Sequence, residues 1–197
     1  MAIGLRPHRR AAEGAPSPDD RPRACVRTRR RREDRMCDHC GCRDLTPIAR
    51  LMDEHDRLRE LTGHIRSHLA VGDDPAARAH FEELLVVLGP HVAEEEGSLF
   101  PMLRRSGELA DHVTVLEEEH AGLYDDVDDL DDAAAAADGA QRWRDGVQRV
   151  LEDLDRHMFK EDFGLFPAAL ATLDGADWDA MEEWKQAHDA PAEPLGT

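Results

Sequence analysis

The chain has 197 residues, 41% of them hydrophobic and 35% charged, with a formal net charge of −18. That length supports one domain with an apolar core. One Tyr and five Phe argue against a β-sandwich or barrel, and no apolar run approaches the roughly 20 residues of a membrane span. The charge is uneven: residues 1–35 hold 11 Arg against 5 acidic residues, leaving 14 basic and 38 acidic residues, a net of −24, in the remainder. Such a body repels nucleic acid and anionic membrane.

Residues 1–35 are rich in Arg, Pro and Ala without periodicity and read as a disordered extension. Two readings stand beside each other there: a solvated or non-native leader with Met36 as the true start, and a basic tail for nucleic acid or membrane. Residues 36–45 form a Cys-rich segment, in which Cys37, Cys40 and Cys42 surround His39. Three thiols so close suit a soft metal or a disulfide cycle, but no spaced second pair completes a closed zinc site. The alternative is an exposed thiol cluster without a dedicated role. Few cysteines elsewhere and no apolar segment after the arginines point away from secretion and to a reducing cytoplasm.

The helical part is expected over 46–188, with a loose tail at 189–197. Thr46-Pro47 reads as an N-cap followed by a first-turn proline. Ile48, Leu51, Met52, His55, Leu58, Thr62, Ile65 and Leu69 then make one apolar stripe at helical spacing. Gly72-Asp73-Asp74-Pro75 ends that helix and starts the next, whose stripe is Phe81, Leu84, Leu85, Leu88, His91, Glu95 and Leu99. Gly89-Pro90 predicts a kink or break just before His91, Pro101 a disturbance near the end, and Ser106-Gly107 a turn. A third stripe carries Leu109, Val113, Leu116, His120, Leu123, Val127 and Leu130, and Gly139 reads as its stop. The fourth carries Trp143, Val147, Val150, Leu151, Leu154, His157, Glu161 and Leu165. A short helix, about 178–187, follows Asp174-Gly175. The expected fold is all-α: an antiparallel up-down four-helix bundle with a short C-terminal helix.

One pattern occurs twice. His91 and His157 are each followed by Glu at +4 (Glu95, Glu161), Leu at +8, Phe at +9 and Pro at +10. His55 lies 36 residues before His91, and His120 lies 37 before His157. Residues i and i+4 share a helix face, so each hairpin offers one His from its first helix and a His–Glu pair from its second. A lone His on an apolar stripe is commonly a core residue bonded to a neighbour. Two buried Glu in register with four His are different, because burying unpaired carboxylates costs several kcal/mol. A cation offsets that cost, and bundles are where such sites are built. Imidazole and carboxylate donors suit first-row metals rather than Ca²⁺ or Mg²⁺. If both Glu bridge, two metals each receive two His and two carboxylate oxygens with positions left open. That points to iron handling O₂, peroxide or NO, with manganese or zinc as runners-up. Helical phase turns His64 and His68 to solvent and sets His80 and His112 away from the site. Tyr124, one turn beyond His120, stands between two readings: a metal-side hydroxyl and a boundary core residue.

The order His, His-x-x-x-Glu, His, His-x-x-x-Glu, with repeated Leu-Phe-Pro endings, resembles the hemerythrin-like (HHE cation-binding) family over about residues 46–172. The resemblance implies a non-haem di-iron centre, oxo- or hydroxo-bridged, with His55, His91, His120 and His157 as terminal ligands and Glu95 and Glu161 bridging. Oxygen carriers of the family have a second His where Tyr124 stands, and close their last motif with an Asp at longer spacing than Glu161. The set here is more similar to iron-centre-repair proteins and to bacterial members linked to peroxide or NO. Three functions follow as expectations: a protein that binds, senses or reduces O₂, peroxide or NO; an iron-handling or repair protein that donates iron to a partner; and a ligand-gated binding module.

Overall fold

The computed structural model describes residues 42–134 and 138–189. The N-terminal extension, Cys37, Cys40 and the tail beyond 189 lie outside the described residues; of Cys42 only the backbone falls within them.

A 3₁₀ turn, Cys42–Asp44, leads into α1 (Thr46–Val71) and is fastened to it by Arg43, which donates to Asp53 at 2.6 Å and Asp56 at 2.7 Å. Leu45, not Thr46, occupies the capping position, with no side-chain cap. Pro47 starts the helix without one, since its missing N–H falls among those a first turn leaves free. Gly72 ends α1 at φ +77°, a conformation that favours glycine. Asp73 then caps α2 (Asp74–Glu94), accepting from the Ala76 N–H. Arg144, from the second half of the chain, donates to both carboxylate oxygens of Asp74 at 2.7 and 2.9 Å, tying the hairpin's turn to a neighbouring helix.

The helix does not break at Gly89-Pro90: α2 runs through Pro90 to Glu94. Pro90 and Val86 both face outward, so the carbonyl freed at Val86 faces water and the lost bond is inexpensive. The irregularity lies after His91. Glu95–Leu99 is one π-turn, in which the Phe100 N–H reaches the Glu95 carbonyl, and α3 (Phe100–Ser106) follows. Gly107, at φ +79°, turns the chain into α4 (Ala110–Ala134). Gly139 is not a stop but the buried first residue of α5 (Gly139–Lys160). The second copy repeats the device: a π-turn at Glu161–Leu165, then α6 (Phe166–Thr172). Finally α7 (Gly175–Asp189), longer than expected, buries Met181.

α1 packs against α2 and α4 against α5, giving the expected antiparallel up-down bundle. The stripes form the core, with Leu61 added, while Leu69, Leu85, Leu109 and Val127 are only partly buried. The apolar interior is in two parts. One gathers residues such as Leu58, Leu88, Leu123 and Leu154; the other gathers Leu51, Phe100, Leu116 and Phe166. On every long helix the polar residues 55, 91, 95, 120, 157 and 161 fall between the two. No described helix is long and apolar enough to cross a membrane.

Candidate metal centre

Two π-turns explain the spacing of the repeat. In a straight helix, positions +8 and +9 from His lie roughly 80° and 180° around from it. Phe100 and Phe166, at +9, would then face away. A proline at +10 cannot donate to the preceding turn, and its ring would strike that turn's carbonyl. One extra residue in the turn removes both problems and resets the phase. Phe100 and Phe166 become fully buried, while Pro101 faces out. Each ring then stacks on a histidine of the other hairpin: Phe166 on His55 at 5.4 Å and Phe100 on His120 at 5.7 Å.

All six repeat-borne residues meet. His55 Nε2 and His91 Nε2 are 3.0 Å apart, and His120 Nε2 and His157 Nε2 are 2.8 Å apart. Each glutamate spans both pairs. Glu161 Oε2 lies 3.3 Å from His55 and Oε1 3.3 Å from His157; Glu95 Oε1 lies 3.4 Å from His91 and Oε2 3.5 Å from His120. None of the four carboxylate oxygens has a hydrogen-bond partner, and all are buried. The donor atoms form two groups that could hold a metal ion, His55–His91–Glu95–Glu161 and Glu95–His120–His157–Glu161. In each group two nitrogens and two oxygens converge, which suits a first-row cation and leaves octahedral positions free.

Behind each imidazole stands a carboxylate that sequence reasoning missed. Nδ1 of His55 bonds to Asp162 at 2.9 Å, His91 to Glu54 at 2.9 Å, His120 to Glu96 at 2.9 Å, and His157 to Glu119 at 3.0 Å. A carboxylate only accepts, so each Nδ1 carries the hydrogen and each Nε2 is turned to the centre as a donor atom. Two of these bonds, His55–Asp162 and His120–Glu96, join the hairpins. The signal was in the chain: Glu54-His55, Glu119-His120, Glu95-Glu96 and Glu161-Asp162 each place an acid next to a site residue. Arg59 donates to Asp162 at 2.5 Å, and Lys160 donates to Glu119.

Electrostatics break the twofold likeness in the metal-free chain. Burial, then the nearby Glu161 charge, pushes the Glu95 carboxyl well above the usual range. Burial acts the same way on Glu161, but the imidazoles of His157 and His55 outweigh it and hold Glu161 well below. Burial lowers His91 and His120, whereas in His55 and His157 the adjacent carboxylates overcome it and raise the imidazole. Within each close imidazole pair the two rings are therefore shifted in opposite directions, His55 and His157 upward and His91 and His120 downward.

Tyr124 is 41% exposed on α4, and Leu123, at +3 from His120, is buried and takes the inward position. His64 and His112 are exposed and His68 and His80 partly so, all away from the site as expected. The surroundings of the two π-turns differ. Trp184 of α7 lies directly over Gly97, whose Cβ would overlap the ring. At the equivalent place on the second turn stands Phe163, exposed beside a cavity of about 640 Å³ lined by Leu109, Val115, Phe159 and Ala168 among others. α7 itself is held by buried Glu94, which accepts from Arg50, while Lys185 pairs with the same carboxylate at 3.3 Å.

Comparison with known proteins agrees with this geometry. The family model described as "Hemerythrin HHE cation binding domain" matches residues 46–169. The iron-sulfur cluster repair protein YtfE of Enterobacter sp. (strain 638) is 29% identical over 139 residues, 59% of this chain and 61% of that protein. Its counterpart in Cronobacter sakazakii (strain ATCC BAA-894) is 29% identical over 148 residues, 64% of this chain and 67% of that protein. The match thus spans about three fifths of the first relative's length. No solved structure gives a significant match. With the model covering well over half its length and the His–Glu repeat folded into one buried centre, the chain belongs to the hemerythrin HHE cation-binding domain family.

Proposed function

We propose that this chain holds two iron ions between its hairpins and works as an iron-handling protein of the iron–sulfur-cluster repair kind. His55 and His91 would hold one ion, His120 and His157 the other, with Glu95 and Glu161 bridging. The observation that carries the reading is the set of four buried carboxylate oxygens without hydrogen bonds, each facing an imidazole nitrogen. Leaving them bare costs several kcal/mol that a cation offsets. The names of the two relatives favour repair over oxygen carriage.

Bound iron would supply exchange between its ferrous and ferric states and open coordination positions. The chain's own residues do the rest. Asp162, Glu54, Glu96 and Glu119 fix ring orientation and increase imidazole basicity. Phe100 and Phe166 cover the rings and keep water from their faces. With its carboxyl raised by burial, Glu95 binds metal in competition with a proton, as do the raised imidazoles of His55 and His157, so loading and release are coupled to acid. In this reading Cys37, Cys40 and Cys42 pass iron to a partner, a protein with a damaged iron–sulfur cluster, in a reducing cytoplasm.

The test is transfer. Chain loaded with two irons is mixed with a protein whose [4Fe–4S] cluster has lost one iron. Regained cluster absorbance, matched by iron lost from the chain and slowed by Cys→Ser changes at 37, 40 and 42, is the expected result. Retention of both irons while ferrous salt alone repairs the cluster would overturn it. A second reading, binding or reduction of a small uncharged ligand such as O₂, peroxide or NO, is favoured by the apolar cavity beside the second π-turn. It predicts ligand-dependent spectra or peroxide turnover without iron loss.

A further inference from the structure

Three histidines outside the centre meet on the surface of the first hairpin. His64 and His68 are one turn apart on α1, and His80 comes from α2 between them. Its ring centroid lies 5.1 Å from that of His64 and 5.3 Å from that of His68, with the planes within 20° and 22° of parallel. Each imidazole has a carboxylate beyond bonding distance: Glu60 at 4.0 Å from His64, Asp73 at 3.6 Å from His68, and Glu83 at 3.6 Å from His80. His80 Nδ1 is buried and has no hydrogen-bond partner. Core packing does not account for the group, because all three side chains are partly exposed, at 52%, 31% and 29%.

We propose that His64, His68 and His80 form a surface site for one divalent first-row cation, distinct from the buried centre. Two imidazoles at i and i+4 chelate from a single helix face, and a third from the neighbouring helix completes three nitrogens with a position left to water. Nitrogen donors of this kind select zinc, copper, nickel or ferrous iron over calcium and magnesium. The rings lie stacked, so binding turns them edge-on about their own side-chain torsions, motions that exposed residues make freely. Glu60 beside His64 Nε2, Asp73 beside His68 Nδ1 and Glu83 beside His80 Nδ1 then serve as hydrogen-bond acceptors for the ring nitrogens that do not bind the cation. The site lies nine residues along α1 from His55, roughly 13 Å at helical rise. It exchanges with solvent, unlike the buried pair, and stands whether or not the buried centre takes part in repair.

The probe is Zn(II), added to the full-length chain with its buried centre already iron-loaded and its cysteines alkylated. One further zinc per chain is expected, with the ring signals of His64, His68 and His80 shifting in NMR while those of His112 and His188 stay put. His64→Gln/His68→Gln and, separately, His80→Gln should weaken that equivalent by about tenfold or more, with iron content unchanged. Unmoved ring signals in the native chain would overturn the site, as would a zinc equivalent kept at full affinity in both variants. Displacement of iron with no change at the three rings would assign the zinc to the buried centre and overturn it equally.

Discussion

Glu95 and Glu161 occupy matching places in the repeat, yet the metal-free chain treats them oppositely, and substitution separates them. Burial and the Glu161 charge raise the Glu95 carboxyl well above its ordinary range, so Glu95→Gln should change metal-free stability by less than about 1 kcal/mol while removing most metal uptake. Glu161 is the ionised partner of His157 and His55, so Glu161→Gln should cost about 2 kcal/mol as well as the metal. Calorimetry with and without iron reads both. The same shifts set the pH response. Metal must displace the Glu95 proton and those raised on His55 and His157, so affinity rises with pH and uptake releases protons. In the metal-free chain the sign reverses at Glu95. A carboxyl whose folded pKa is raised contributes stability that is present below its unfolded value, about 4.3, and is lost as pH rises through the folded one. Denaturant titrations of the native chain and Glu95→Gln across that window should diverge toward higher pH, the native chain falling faster.

At the scale of the element, the π-turns make two unremarkable helices into site-bearing ones. They let Glu at +4 and Phe at +9 both point inward, which a straight helix forbids. Their different surroundings give a paired prediction. Gly97→Ala puts a methyl into the Trp184 ring and should destabilise by about 1–3 kcal/mol, with changed tryptophan fluorescence as α7 shifts. Gly164→Ala, on the second turn, meets nothing within 4 Å and should be neutral or stabilising by up to about 1 kcal/mol. Equal losses in the two variants would mean that α7 does not rest on the first turn as described.

Across the whole molecule, the centre divides the apolar interior and replaces its middle layer with buried polar groups. Hydrophobic packing on both sides should keep the metal-free chain folded, with metal acting as a brace between the hairpins. The two positions share Glu95 and Glu161 and so fill as a coupled pair, and a binding step at about a hundredfold excess over its dissociation constant adds roughly 2.7 kcal/mol. Thermal melts should therefore rise by several degrees on iron loading. A chain that loses its helical signal when stripped of metal would show that the two cores are too small to stand alone. The His55–Asp162 and His120–Glu96 bonds cross between hairpins, so Asp162→Asn should lower metal affinity about 10–100-fold while leaving most of the fold in place.

Much of this was legible in the chain itself. Helical period placed His55, His91, His120 and His157 on apolar stripes, and exact repetition of His-x-x-x-Glu marked the six residues that meet, because a helix converts spacing directly into direction. Tertiary structure alone decided what depends on partners far apart in sequence. A straight-helix phase hides Phe100 and Phe166, since the π-turn that brings them inward is a backbone choice forced by Pro101 and Pro167 inside a packed bundle. Pro90 read as a kink or break, and the helix continues through it to Glu94. Tyr124 read evenly as a metal-side hydroxyl or a boundary core residue, and packing buries its neighbour Leu123 and leaves Tyr124 partly exposed. Local pattern determined which residues carry the chemistry; packing between hairpins determined which carboxylate stands behind each histidine, how Glu95 and Glu161 come to differ, and that α7 covers one π-turn and leaves the other open.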